Sequence, residues 1–180
     1  MSPRLAFWSV VLLALAGVAW CFVPRGDDGS ASPGAASAGP PPCPLPPGVM
    51  RDAAPLQTPV PNGIANFVHG DARVLPQAGF SIEARVLSRE DYHLGREADY
   101  APTDLALGWG RMREDTVLSR LDIRQGGRWY HYRWSGDPPI PPQEIVRSSA
   151  NMHIIPADAR VADALDAVHA GDRVRIDGGW

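Results

Sequence analysis

The chain has 180 residues, 17 basic against 20 acidic, a formal net charge of −3 and two cysteines. Every basic residue is an arginine and none forms a block, which excludes nucleic-acid binding through a positive patch. The lack of lysine, with 18 glycines and 19 prolines, points to a bacterial genome of high GC content.

Residues 1–4 carry Arg4 and the free amine, and Leu5 to Val23 follow as an uncharged apolar run. As a helix at about 1.5 Å per residue the run reaches roughly 28 Å, close to the thickness of a bilayer's hydrocarbon core. Trp8 and Trp20 lie near its ends, where indoles favour the interface, and Pro24 stops it. Arg25 is followed by Asp27 and Asp28, so the positive excess is on the N-terminal side. The expected arrangement is a single-pass signal anchor over 5–23 in a bacterial inner membrane. Residues 1–4 are then cytoplasmic and the rest lies in the periplasm or outside. A cleaved signal peptide lacks a good cleavage pattern at the end of the run, and a lipoprotein cysteine at Cys21 is opposed by the bulk of Trp20 before it. All three readings export the chain.

Residues 24–66 are rich in Pro, Gly, Ala and Ser without apolar periodicity, the composition of a semi-rigid linker. Cys43 lies in it, and in an oxidising compartment it offers a disulfide-linked dimer or no role at all. Residues 67–180 read as one globular domain without cysteine, in which the acidic residues outnumber the arginines.

Within the domain, Phe80, Ile82, Ala84 and Val86 alternate with polar residues, the period of a half-buried strand. Thr103 is a suitable N-cap for a short helical turn over 104–108, and a second turn is expected over 116–121. Gln125-Gly126-Gly127-Arg128 separates Asp122-Ile123-Arg124 from Trp129 to Trp134, which reads as a hairpin whose two glycines supply positive φ. Pro142 opens a short helix over 143–149, and Met152 to Ile155 form a short strand. Asp158 caps a helix with Val161, Leu165 and Val168 as its stripe, closed by Gly171, and Arg173 to Asp177 alternate again. The fold class is α+β or mainly β. The expected domain is a small, partly open β-barrel of the oligonucleotide/oligosaccharide-binding type, with one amphipathic helix between its third and fourth strands.

Four segments carry a resemblance: Thr103-Asp104-Leu105-Ala106-Leu107-Gly108-Trp109-Gly110, Gly127-Arg128-Trp129-Tyr130, Ser148-Ser149-Ala150-Asn151-Met152-His153-Ile154-Ile155-Pro156-Ala157 and Gly171-Asp172-Arg173-Val174. Together they resemble an uncharacterised family of bacterial membrane-anchored or exported proteins, over most of residues 67–180. The resemblance implies no activity. It implies further strand beyond Gly178, so that the chain reads as a C-terminally shortened member.

Two sets of side chains are candidates for function. In the first, His153 is a general base or metal ligand with Ser148 or Ser149 as hydroxyl partner and Asn151 as orienter, near Arg147, the arrangement of an envelope hydrolase. The bland alternative, which the sequence favours, has Ser149 and Asn151 capping backbone groups and His153 satisfied locally, since no acidic partner lies at a fixed spacing. In the second, Trp129, His131 and Arg133 share one face of a strand and Tyr130, Tyr132 and Trp134 the other. One face is core, and the other either presents stacking groups to an envelope protein or glycan or, the bland alternative that the sequence favours, is buried too within a barrel. His69, His93, His131, His153 and His169 have no metal-ligand spacing, and no metal or cofactor is expected. The function expected is a membrane-tethered envelope binding or assembly module without catalysis, and the alternative is the hydrolase.

Overall fold

The computed structural model describes residues 17–21 as backbone, and 54–60 and 66–180 with their side chains. Of the expected anchor Leu5–Val23 only Gly17–Cys21 is therefore described, and Cys43 lies outside the described residues. Among the described residues no helix is long and apolar enough to cross a membrane.

The elements in chain order are β1 (Gly17–Cys21), β2 (Leu56–Thr58), β3 (Phe67–His69), β4 (Ala72–Val74), β5 (Gly79–Asp91), β6 (Thr103–Gly108), a 3-10 turn over Gly110–Arg113, α1 (Asp115–Leu118), β7 (Asp122–Gly126), β8 (Trp129–Arg133), α2 (Pro142–Arg147), β9 (Ser149–Pro156), α3 (Ala159–Asp166) and β10 (Arg173–Gly179). The described part is mostly β, with a half-barrel sheet and few helices. Its neighbours run β10-β5-β6-β9, all antiparallel, and β2 adds to β5 opposite Gly79–Ser81. Residues 56–58, expected as part of a linker, are instead a short strand of the sheet, because the β5 edge at Gly79–Ser81 pairs their backbone. The β1 segment lies between the two outer strands, parallel to β9 and antiparallel to β10.

β5 makes the curvature. Its first half pairs with β10 and its second half with β6, and the register shifts between Val86 and Ser88. Leu87 is the extra residue of this bulge, which bends the strand. Before the bulge Phe80, Ile82, Ala84 and Val86 point inward with Leu105, Leu107, Ile154, Val174 and Ile176, as the alternation predicts. Leu87 instead packs outside, against a second cluster formed by Met112, Val117, Ile140 and Ile145.

Residues 103–108, expected as a helical turn, are strand β6. Every residue of β6 is buried, because the sheet interior takes one face and the β7–β8 hairpin covers the other. A strand buried on both faces loses the alternation by which a sequence announces it. The other helices fall close to their expected places: α2 starts with Pro142, and α3 is capped by Asp158, whose carboxylate accepts from the Val161 N–H at 2.9 Å. α3 buries Val161 and Leu165 in the main core. The carbonyls of Leu165, at its C-terminal end, and of Val168, just past it, accept from the Arg89 guanidinium, which also grips Asp91. That neighbour holds the Asp91 carboxyl below the usual carboxylate range.

Candidate functional site

A polar network lies between the outer face of the half-barrel and the β7–β8 hairpin. Pleating puts Leu105 inside and Asp104 outside on β6, and Ile154 inside with Asn151 and His153 outside on β9. The register places Asp104 directly opposite His153, and Ala106 opposite Asn151. Asp104 is completely buried and fully engaged. Its Oδ1 lies 2.7 Å from His153 Nδ1 and accepts from Arg128 Nη1 at 2.8 Å, while Oδ2 accepts from Asn151 Nδ2 at 3.2 Å. With a carboxylate as acceptor, His153 carries its proton on Nδ1, which leaves Nε2 as the basic nitrogen of the neutral ring.

The hairpin closes over this group. Asn151 Oδ1 accepts from Gln125 Nε2 at 2.6 Å, and Asn151 Nδ2 also donates to the Arg128 carbonyl at 3.3 Å. Arg128 Nη1 donates to the Ala101 carbonyl at 2.7 Å, and its guanidinium lies over the Tyr92 ring, 3.8 Å from the centroid. The Arg128 N–H donates to the Tyr92 hydroxyl at 2.9 Å. Burial pushes the Tyr92 phenol above its ordinary pKa, with the Arg128 N–H acting against that. Gly126 pairs with Trp129, so Gly127 and Arg128 form a two-residue turn with φ of 59° and 69°. Both central positions of such a hairpin turn need positive φ, which glycine adopts freely and arginine does not. Arg128 is the one described residue other than glycine in that region, and five contacts with Tyr92, Ala101, Asp104 and Asn151 hold it there.

The candidate residues from the sequence separate into three groups. Asn151 and His153 belong to this hub. Ser149 does not: its hydroxyl donates to the Ile145 carbonyl at 2.7 Å, and it pairs with Gly108, four residues along β9 from His153. At about 3.3 Å per residue that is roughly 13 Å, beyond any hydroxyl–imidazole contact. Ser148 caps the end of α2, its N–H donating to the Glu144 carbonyl at 2.9 Å, and Arg147 is exposed on the last turn of that helix. The aromatic strand divides as its alternation predicts. Tyr130 is buried, and Tyr132 and Trp134 pack against the second cluster, while Trp129, His131 and Arg133 face outward. Trp129 is 42% exposed, a large fraction for an indole. Tyr130, Tyr132 and Trp134 are therefore a packing face, and Trp129 is the member of the set open to a partner.

Asp104, Arg128, Gln125 and Tyr92 complete the hub; Asp104 and Arg128 stand in the segments that carry the resemblance, and none of the four is among the candidate site residues. The one local signal is an aspartate directly before the apolar run Leu105-Ala106-Leu107, together with an Asn-x-His whose spacing puts both side chains on one strand face. Among the described residues no group of three His, Cys, Asp or Glu side chains converges as a metal site would require. No family model, curated protein or solved structure matches the chain.

Proposed function

We propose that this protein is a membrane-tethered binding or assembly module of the bacterial envelope, working without catalysis. The apolar run Leu5–Val23 is the anchor, residues 24–66 are the linker, and the domain over 67–180 stands on the outer side of the membrane. With residues 56–58 paired in the sheet, the free part of the linker is 24–55, which as a flexible coil reaches roughly 30 Å, so the domain meets partners close to the bilayer. The finer fold reading is a small barrel of the oligonucleotide/oligosaccharide-binding type. The antiparallel order β10-β5-β6-β9, with α3 between β9 and β10, supports it.

The observation that carries the functional reading is the outward face of β8. Trp129, His131 and Arg133 stand exposed on a strand whose other face and whose turn are fixed by the Asp104 hub and the second core. A rigid aromatic and guanidinium surface on an ordered strand suits a protein or glycan partner. The hydrolase alternative is supported by the Asp104–His153 pair, but Ser149 is bonded elsewhere and out of reach, and Ser148 caps α2. The test is photocrosslinking in intact cells from residue 131, on the outward face, and from residue 160, exposed on α3. A discrete adduct from 131 that is lost in Trp129→Ala/Arg133→Ala and absent from 160 supports the reading. Equal labelling from both positions, or labelling from 131 that survives the double substitution, overturns it.

A further inference from the structure

The half-barrel leaves two strand edges on either side of one gap. One edge of β9 is paired with β6, one edge of β10 is paired with β5, and the remaining edge of each faces the gap. Such edges present rows of backbone N–H and C=O groups that take up an extended chain. The chain seated there is Gly17–Cys21, with Gly17 opposite His153 and Trp20 opposite Pro156 on β9, and Ala19 opposite Gly179 and Cys21 opposite Asp177 on β10.

These five residues also belong to the apolar run Leu5–Val23. The two destinations exclude one another, because a strand bonds its backbone to its neighbours whereas a spanning helix must satisfy every backbone group within itself. We propose that the gap between β9 and β10 is a strand-acceptor groove that the chain's own Gly17–Cys21 segment fills in the lipid-free protein, and that insertion of the apolar run into a bilayer empties it. Membrane attachment then uncovers two unpaired strand edges next to His153, and a chain that has not reached a membrane keeps them covered. The bilayer is the stronger competitor, since it takes up the whole run while the groove engages five residues of it. This inference rests on the anchor reading above, and the experiment separates the two.

Directly paired Cα atoms on antiparallel strands lie about 4.5–5.5 Å apart, within the range a disulfide bridges. Position 179 accepts a side chain, since a Cβ built there meets its nearest atom, the Ala78 carbonyl oxygen, at 3.4 Å. The full-length chain carrying Ala19→Cys and Gly179→Cys, with Cys21→Ser and Cys43→Ser, is oxidised without lipid and again after reconstitution into phosphatidylethanolamine–phosphatidylglycerol vesicles. The expected result is an intramolecular disulfide in the lipid-free protein and its loss in protein that floats with the vesicles. A control with Val146→Cys, exposed on α2, in place of Gly179→Cys forms no such bond. A disulfide-linked dimer, or no disulfide without lipid, overturns the groove assignment. A disulfide retained in floating protein overturns the competition. A chain that fails to float overturns the anchor reading, and the competition with it, whatever the lipid-free disulfide shows.

Discussion

Replacing Asp104 by alanine removes the acceptor of three donors at once. Asn151 Nδ2 keeps the Arg128 carbonyl and Arg128 Nη1 keeps the Ala101 carbonyl, but His153 Nδ1 loses the partner that orients it. The larger loss is electrostatic. Arg128 is held with 17% of its side chain exposed, and its next acidic neighbour, Glu97, is 3.9 Å away and largely in solvent. Removing one member of a buried pair costs about 3–5 kcal/mol, and the partial exposure of Arg128 puts Asp104→Ala at the low end, about 3 kcal/mol. At about 4 °C per kcal/mol for a domain of this size, the thermal midpoint should fall by roughly 12 °C. Asp104→Asn keeps the shape and one acceptor oxygen, so it should lose about half as much. Circular dichroism melts of the full-length variants measure both. An Asp104→Ala midpoint within about 3 °C of the parent would mean that the hub contributes under 1 kcal/mol, and the reasoning would be wrong.

Three further outcomes follow from the same geometry. Arg128→Gly and Arg128→Ala both lose the pair with Asp104, but glycine also relieves the positive φ, so Arg128→Gly should be the more stable of the two by about 1 kcal/mol in chemical denaturation. Gly108→Ala places a Cβ 2.5 Å from the Met112 carbonyl oxygen, a clash with backbone, and should cost about 1–3 kcal/mol in the same assay. Burial pushes the Tyr130 phenol up to about 12. A raised phenol pKa contributes stability in full below its ordinary value near 10 and loses it as pH rises through the folded value. Stability should therefore decline between pH 10 and about 12, with Tyr130→Phe showing a shallower decline; identical alkaline limbs would refute it.

The elements that announce themselves in the sequence are those that keep their apolar side chains to one face. Phe80 to Val86 alternate because Ser81, Glu83 and Arg85 stand on the opposite face, and α3 shows Val161 and Leu165 at helical spacing because its other side meets water. β6 could not be read this way, since the hairpin above it buries Asp104 and Ala106 as deeply as Leu105 and Leu107. The hairpin itself is legible from the loop 125–128, although the two positive-φ positions are Gly127 and Arg128 and not the two glycines. That difference is a tertiary effect, because the arginine's cost in φ is offset by contacts with Asp104, Ala101 and Tyr92, all distant in sequence. For the same reason half of the hub was visible and half was not. Asn151 and His153 sit together in one polar stretch, whereas Asp104 reaches His153 only through the β6–β9 register.

The Asp104 hub fixes the β7–β8 hairpin to the half-barrel and so holds Trp129, His131 and Arg133 on an ordered strand. Native-state amide hydrogen exchange across residues 122–133 tests it directly, comparing the parent chain with Asp104→Asn. The account predicts faster exchange throughout the hairpin in the variant, with protection kept in β5 and β10. Unchanged protection of the hairpin, or an equal loss across β5 and β10, would contradict it.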